Sequence, residues 1–327
     1  MNTTTLINTD DTAILLNISQ KLYGWGSLII FLIGTFGNIL DIILFIHLES
    51  LNTLASSLFL LASFIGSEFV MLTATLLRTI FGLTGSDPLF ASLFLCKARW
   101  MIGPASGAFA LTCVSLAGVD RYILARTQYQ TKITLNQARL VIILAAIFWL
   151  GFFSMYAVFY VAPTRNSCQL IDTHMIQLMP FVSLFVYSII PITVLSLLCR
   201  LIWHALGQLP ITYLHGGIRL QDQVTRMIIA QIFVIVITSL PSAAYSIYTI
   251  STRTISKSTW RLAVENLVNT ICVLIGFLTH AIMFYVYLIA SPSFHQNVKN
   301  MFHVAYNRII PFINRIRTNR QVVFPAV

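Results

Sequence analysis

Two groups of residues in this 327-residue chain have types and spacing that could do chemistry. Asp120-Arg121-Tyr122 sets a carboxylate beside a guanidinium at the end of a long apolar run. A charged side chain inside a membrane helix costs about 2.5–3.5 kcal/mol on insertion scales, so such groups normally pair. Cys96 lies 25 residues before Arg121 in the same run, about 37 Å away at helical rise. One helix of that length places the thiol at one surface of a bilayer and the ion pair at the other. Enzymatic residues do not assemble in the same way. The histidines His47, His174, His204, His215, His280, His295 and His303 include no H-E-x-x-H spacing. Pro104-Ala105-Ser106-Gly107 lacks the Gly-x-Ser-Gly context of an intramembrane serine nucleophile. No enzyme, metal site or cofactor is expected, and His280 reads as a hydrogen-bonded core residue.

The elements that must position these residues follow from composition. Hydrophobic residues make up 57% of the chain and charged ones 9%, where a soluble domain carries about 25% charged residues. So few charges cannot cover a soluble surface. Five cysteines are too few for a disulfide scaffold, and the hydrophobicity excludes disorder. A bilayer core of ~30 Å needs about 20 mostly apolar residues. Seven stretches qualify, at 24–48, 54–79, 93–125, 138–161, 175–203, 222–251 and 262–290. Backbone groups in hydrocarbon must bond within the segment, so each is expected to be helical. The predicted fold is an all-α, seven-transmembrane helix bundle. After it, Ser291-Pro292-Ser293 opens a segment with Phe294, Val298, Met301, Phe302 and Ala305 at helical spacing, predicting a short amphipathic helix at the membrane surface.

Residues 1–23 are polar and read as an extracellular tail, 24–290 as the membrane domain, and 291–327 as a juxtamembrane helix with a cytoplasmic tail. Sequons at Asn2 and Asn17 suggest glycosylation and an outward N-terminus. Seven crossings then leave the C-terminus inside. The formal net charge of +10 is divided between both faces, with an excess on the inner segments and a basic tail at Arg308, Arg315, Arg317 and Arg320. That distribution suits anionic lipid rather than nucleic acid. On this topology Cys168 falls in the outer loop between the fourth and fifth segments, where disulfides persist. A Cys96–Cys168 bond would tie that loop to the third helix, while Cys113, Cys199 and Cys272 read as packing residues.

At these residues the chain resembles the rhodopsin-like (class A) G-protein-coupled receptors. The resemblance covers roughly residues 24–303. Gly37-Asn38 matches the family's first-helix pair, Trp149 its fourth-helix tryptophan, and Pro191 and Pro241 its fifth- and sixth-helix prolines. Tyr287 followed seven residues later by Phe294 matches the end of the seventh helix and the surface helix. The resemblance implies a plasma-membrane receptor that turns binding of an extracellular ligand into activation of a heterotrimeric G protein. Asp120, Arg121, Tyr122, Pro191, Pro241 and Tyr287 would serve coupling and switching, and Asn38, Trp149 and Phe294 would be structural.

The departures narrow this. Gly66 stands where the family has a sodium-holding acid, with Glu68 two positions late, which leaves sodium binding open. The sixth-helix Cys-Trp-x-Pro pattern reads Thr238-Ser239-Leu240-Pro241. The seventh-helix Asn-Pro-x-x-Tyr pattern reads Met283-Phe284-Tyr285-Val286-Tyr287. Such loosening is similar to a divergent invertebrate branch of peptide (FMRFamide-type) or chemosensory receptors. Gly103 replaces the aspartate of amine receptors, and residues 262–290 hold no lysine for a retinal Schiff base. The ligand is therefore expected to be a peptide or small metabolite. Lys97, Arg99, Trp100, Gly103, Tyr245 and Glu265 are the candidate contacts, on a mostly basic rim that also includes Arg78 and Asp172. The alternatives are a transporter or channel, or a decoy receptor that signals weakly.

Overall fold

The computed structural model describes residues 3–47, 54–84, 93–127, 132–161, 169–170, 172–208, 219–303 and 306. Asn2, Cys168, Arg165, Ala305 and the tail arginines Arg308, Arg315, Arg317 and Arg320 lie outside them. The helices are α1 (Thr3–His47), α2 (55–84), α3 (Leu93–Arg126), α4 (Leu135–Phe159), α5 (173–207), α6 (Arg219–Ser251), α7 (259–290) and α8 (292–303). Among the described residues seven helices, α1–α7, are long and apolar enough to cross a membrane. The protein is a multi-pass membrane protein with an all-α, seven-helix bundle. A two-residue antiparallel ladder, Tyr160–Val161 with Gln169–Leu170, joins the α4 end to the approach of α5.

Local sequence explains where four of these eight helices start. Thr134 and Gln137 form a reciprocal capping box at α4: the Gln137 amide donates to Thr134 Oγ1 at 3.3 Å, and the Thr134 amide to Gln137 Oε1 at 3.0 Å. Asp172 caps α5 by accepting from the Met175 amide at 2.9 Å. Ser258 caps α7 through the Arg261 amide at 3.3 Å. Ser291 with Pro292 starts α8, where the Phe294 amide donates to Ser291 Oγ at 3.3 Å.

Helix α1 departs from the expected organisation. The polar tail predicted for residues 1–23 is not a separate unit, because α1 runs unbroken for 45 residues, about 67 Å at helical rise. Residues 3–23 contain neither glycine nor proline to stop it. Ser19 also pins this extension to α7: its hydroxyl is hydrogen-bonded to Thr270 Oγ1 at 3.0 Å and accepts from Asn266 Nδ2 at 3.3 Å. Asn17 is exposed on this helix, but the Ser19 of its sequon is buried in that contact.

Three other spans carry irregular turns. A π turn at Met71–Thr75 interrupts α2, and another at Phe185–Ile189 interrupts α5 immediately before Pro191. In both, an amide bonds five residues back, Leu76 to Met71 and Ile190 to Phe185. π turns inside helices are often found at functional sites. Helix α7 breaks at Ile282 (φ −100°, ψ 1°), although the segment has no proline there.

The bundle packs α3 against α2, α4 and α5, α1 against α2 and α7, and α6 against α5 and α7. The largest apolar core lies toward the Arg121 end and includes Phe45, Phe59, Phe64, Met227, Tyr287 and Phe294. Phe294 and Val298 bury one face of α8 in that core, while Phe302 is exposed. Elsewhere, large apolar residues face outward, among them Leu140, Ile143, Leu144, Ile147 and Phe148 on α4. A soluble protein does not expose such a continuous belt. Hydrocarbon covers it without cost.

Gly66 has a spatial reason. A Cβ there would stand 3.0 Å from a Phe109 ring carbon and 3.1 Å from the Ser106 carbonyl oxygen, the latter backbone that cannot rotate away. Small residues let membrane helices approach closely, and this one sets the α2–α3 contact. Gly66→Ala is expected to cost about 1–3 kcal/mol through overpacking, and Gly66→Asp to abolish the monodisperse folded fraction. Thermal unfolding of detergent-solubilised protein followed by size exclusion checks both.

Candidate functional site

Two sites lie at opposite ends of α3. At its Arg121 end, Asp120 and Arg121 are both 2% exposed. The Asp120 carboxylate accepts from the Ser56 amide at 3.1 Å and lies 3.7 Å from Arg121 Nη2. Ser56 is in the first turn of α2, whose N-cap, Leu54, has no side chain able to cap it. Amides in a first helical turn lack intrahelical partners and favour a negative charge. Asp120 thus caps α2 from a neighbouring helix. Arg121 completes the contact, with Nε donating to Ser56 Oγ at 2.9 Å and Nη2 donating to the same oxygen. The guanidinium is held inside the bundle by α2. Tyr122 is half-buried and takes no part in this contact.

Of the other predicted coupling residues, Tyr287 lies in the core toward Arg121, whereas Pro241 stands between Ser239 and Ser242 of the cavity at the opposite end. Tyr287 is fully buried, and its hydroxyl donates to Gln231 Oε1 on α6. Its ring packs edge-on against Phe64 and Phe294, at 5.8 and 5.7 Å between centroids. Pro191 is buried behind its π turn. Pro241 sits within α6, which continues past it, and its carbonyl accepts from Cys272 Sγ at 3.5 Å. Trp149 Nε1 donates to Thr112 Oγ1 at 2.9 Å, joining α4 to α3. Asn38 Nδ2 donates to Glu68 Oε2 at 3.3 Å, so the displaced acid of α2 does reach α1. Asp41, one turn further along α1, is fully buried, and neither of its oxygens has a hydrogen-bond partner among the described residues.

Toward the Cys96 end the helices enclose a cavity of about 320 Å³. Both π turns contribute to its wall, through Thr73 and Ala74 from the first and Tyr187 from the second. Tyr187 donates its hydroxyl to the Pro104 carbonyl at 2.6 Å, fixing the α3–α5 wall. Apolar lining comes from Val70, Leu111, Phe153, Met179, Val182 and Phe277. Polar lining comes from Arg78, Arg99, Ser183, Ser239, Ser242 and His280. His280 is hydrogen-bonded through Nδ1 to Ser67 Oγ at 3.1 Å. Thr279 also lines the cavity and is hydrogen-bonded to Thr238 on α6 at 2.6 Å.

Of the six predicted ligand contacts, Arg99, Trp100 and Gly103 line this cavity and the other three do not. Lys97 reaches the Val158 carbonyl at 3.4 Å instead. Glu265 accepts from Tyr248 at 2.7 Å and pairs with Lys257 at 2.7 Å and Arg261 at 3.1 Å. Tyr245 packs beside Tyr248, with ring centroids 6.5 Å apart. The Asp172 carboxylate is occupied as the α5 cap. Cys96 is buried and is not a free thiol, whereas Cys113, Cys199 and Cys272 are free; its assigned partner Cys168 lies outside the described residues. Sequence reasoning did not pick out Ser56 or Gln231. Gln231 could have been found as a strongly polar residue in an apolar span, but a serine beside a helix start carries no comparable signal.

A scan against models of known protein families gives no match for this chain, and a search of curated proteins gives none.

Removing the Ser56 hydroxyl takes away the acceptor for both bonds donated by Arg121 and leaves a buried guanidinium short of partners. Hydrogen bonds to charged groups contribute about 1.5–3 kcal/mol. Ser56→Ala is therefore expected to destabilise the protein by an amount in that range, whereas Ser57→Ala, next to it and without such a bond, should cost far less. Comparing their unfolding midpoints in one detergent checks this.

Proposed function

We propose that this protein is a rhodopsin-like receptor of the plasma membrane, with its N-terminus outside, which converts ligand binding in the α3-lined cavity into activation of a heterotrimeric G protein. The observation that carries the reading is that one helix, α3, lines the cavity at one end and holds a buried, releasable Asp120–Arg121 pair at the other. In this arrangement Arg121 is withheld from any partner by Ser56, and α6 is held to α7 by Gln231–Tyr287 and Thr238–Thr279. A ligand works by favouring a form already present in the equilibrium. The form required here has α6 displaced from α7 and Arg121 released toward the inner face. Pro241 deprives α6 of one backbone bond and gives that displacement a place to bend. A Cys96–Cys168 disulfide would hold the outer loop over the cavity mouth, and the outer position of that loop fits the topology with Arg121 inside.

The reading can be tested without knowing the ligand. Purified receptor in lipid nanodiscs is mixed with G-protein heterotrimers, and basal nucleotide exchange is followed. Tyr287→Phe removes one buried hydrogen bond, contributing about 1 kcal/mol, and should raise the open fraction and basal exchange about fivefold. Arg121→Ala should return exchange to the level of G protein alone, including in the Tyr287→Phe background. Exchange that is insensitive to both substitutions, or ligand-independent solute flux through the protein in liposomes, would overturn the reading in favour of a transporter or channel. Cys168→Ala is expected to reduce surface expression several-fold, measured by antibody labelling of intact cells.

A further inference from the structure

The cavity described above is lined by Arg78 and Arg99 and, among the described residues, by no acid. Of the described acids of this end, Asp172 is committed to the α5 cap and Glu265 to Lys257, Arg261 and Tyr248, and Asp11 is exposed on the α1 extension, outside the cavity lining. Burying a charge is costly unless it is paired and hydrogen-bonded. The structure gives Arg78 only partial compensation. Its guanidinium carbon lies 5.0 Å from the Tyr23 ring centroid and 5.2 Å from that of Phe277. Aromatic rings engage such a cation through its faces. Its Nε, an edge donor, has no hydrogen-bond partner among the described residues.

That donor edge determines what would fit. A guanidinium edge matches the two oxygens of a carboxylate in a bidentate pair. The rest of the wall is mostly apolar, from Val70 and Leu111 to Phe153, Met179 and Val182. An apolar wall favours a monoanion over a more strongly hydrated dianion, because desolvation cost grows with charge. The volume of about 320 Å³ is at the lower end of the roughly 300–1,000 Å³ typical of small-molecule sites, which suits a small molecule better than a whole peptide. We propose that the cavity takes a small amphipathic carboxylic acid, its carboxylate on Arg78 and its apolar body against the α3–α5 wall. This rests on the cavity being the ligand site of the receptor reading and names the chemistry of that ligand.

The test uses full-length protein in nanodiscs of neutral lipid, with no G protein, and reads the thermal unfolding midpoint. The probes are decanoate, 4-phenylbutyrate and indole-3-acetate, each beside its primary amide, and an apolar tetrapeptide with a free or amidated C-terminus. At least one small acid is expected to raise the midpoint dose-dependently while its amide does not. Losing a charge-assisted pair should weaken that acid about 10- to 100-fold in Arg78→Gln, and Arg78→Lys, which keeps the charge but not the fork, should weaken it less. A readout independent of any probe is the empty protein. Arg78→Gln removes a charge that lacks its counter-ion and should leave the unliganded midpoint unchanged or higher.

A lower unliganded midpoint for Arg78→Gln would make Arg78 a structural residue and overturn the proposal. So would equal binding of acids and amides, an undiminished acid response in Arg78→Gln, or binding of the peptide acid but of no small acid. Acid binding without nucleotide exchange in the coupled assay would sink the receptor reading and leave this assignment standing. Exchange driven equally well by the amides would do the reverse.

Discussion

Inside a bilayer no water is present to hydrogen-bond a spare amide or hydrate a charge, and this constraint shapes α1–α7 at every level. Backbone groups close on themselves as helices. Polar side chains then have to find one another between helices, because leaving one bare in hydrocarbon costs more than ordering a pair. Ser19–Thr270 joins α1 to α7, Asn38–Glu68 joins α1 to α2, and Ser67–His280 joins α2 to α7. Trp149–Thr112 joins α4 to α3, and Thr238–Thr279 with Gln231–Tyr287 joins α6 to α7. Apolar burial does not drive helices together in lipid, so such pairs and close backbone approaches hold the bundle. Gly66 supplies one of those approaches.

The same constraint makes the few remaining charges significant. Asp120 resolves two deficits together, since its carboxylate satisfies an α2 amide that Leu54 cannot cap and offsets the neighbouring guanidinium. Arg121 is thereby stable while buried, yet held by contacts to a single serine and its own neighbour. Arg78 is less well served, with two aromatic rings near its guanidinium carbon and a buried Nε that has no hydrogen-bond partner among the described residues. One guanidinium is answered by the protein and the other is open to an outside partner. Under the receptor reading these are the output and the input of one device. Helix α7 links them: Thr279 and His280 line the cavity, Ile282 breaks the helix, and Tyr287 anchors α6 on the far side of the break.

Much of this was legible in the chain and some was not, and the difference follows the range of the interactions. The seven spans and the α8 helix depend on residues a few positions apart, which periodicity displays directly; the caps at Thr134, Asp172 and Ser258 are equally local but were not singled out in the chain, where Asp172 read as a rim charge. The placement of Cys96 and Arg121 at opposite ends of α3 follows from helical rise alone. Basic residues near the Cys96 end were visible as a group, but not which of them enter the cavity. Arg99 does, whereas Lys97, two residues away on the helix, turns to an α4 carbonyl. Glu265 looked like a ligand contact only while Lys257, Arg261 and Tyr248 had no positions in space. The polar run before residue 23 read as an extracellular tail, and nothing within it showed that Ser19 is hydrogen-bonded to a residue 251 positions away.

The sequence by itself determined the solvent of this protein, the number of its membrane-spanning helices, and the end of α3 at which its acid–arginine pair lies. Length and hydropathy suffice for these because the bilayer's thickness and lack of water act on each segment separately. Only the tertiary structure decided that Asp120 caps α2 and that Glu68 meets Asn38. It alone showed that Arg78 stands in a cavity with no carboxylate in its described lining. Those outcomes depend on which faces of separate helices meet, and hence on rotations and close approaches that no single segment encodes.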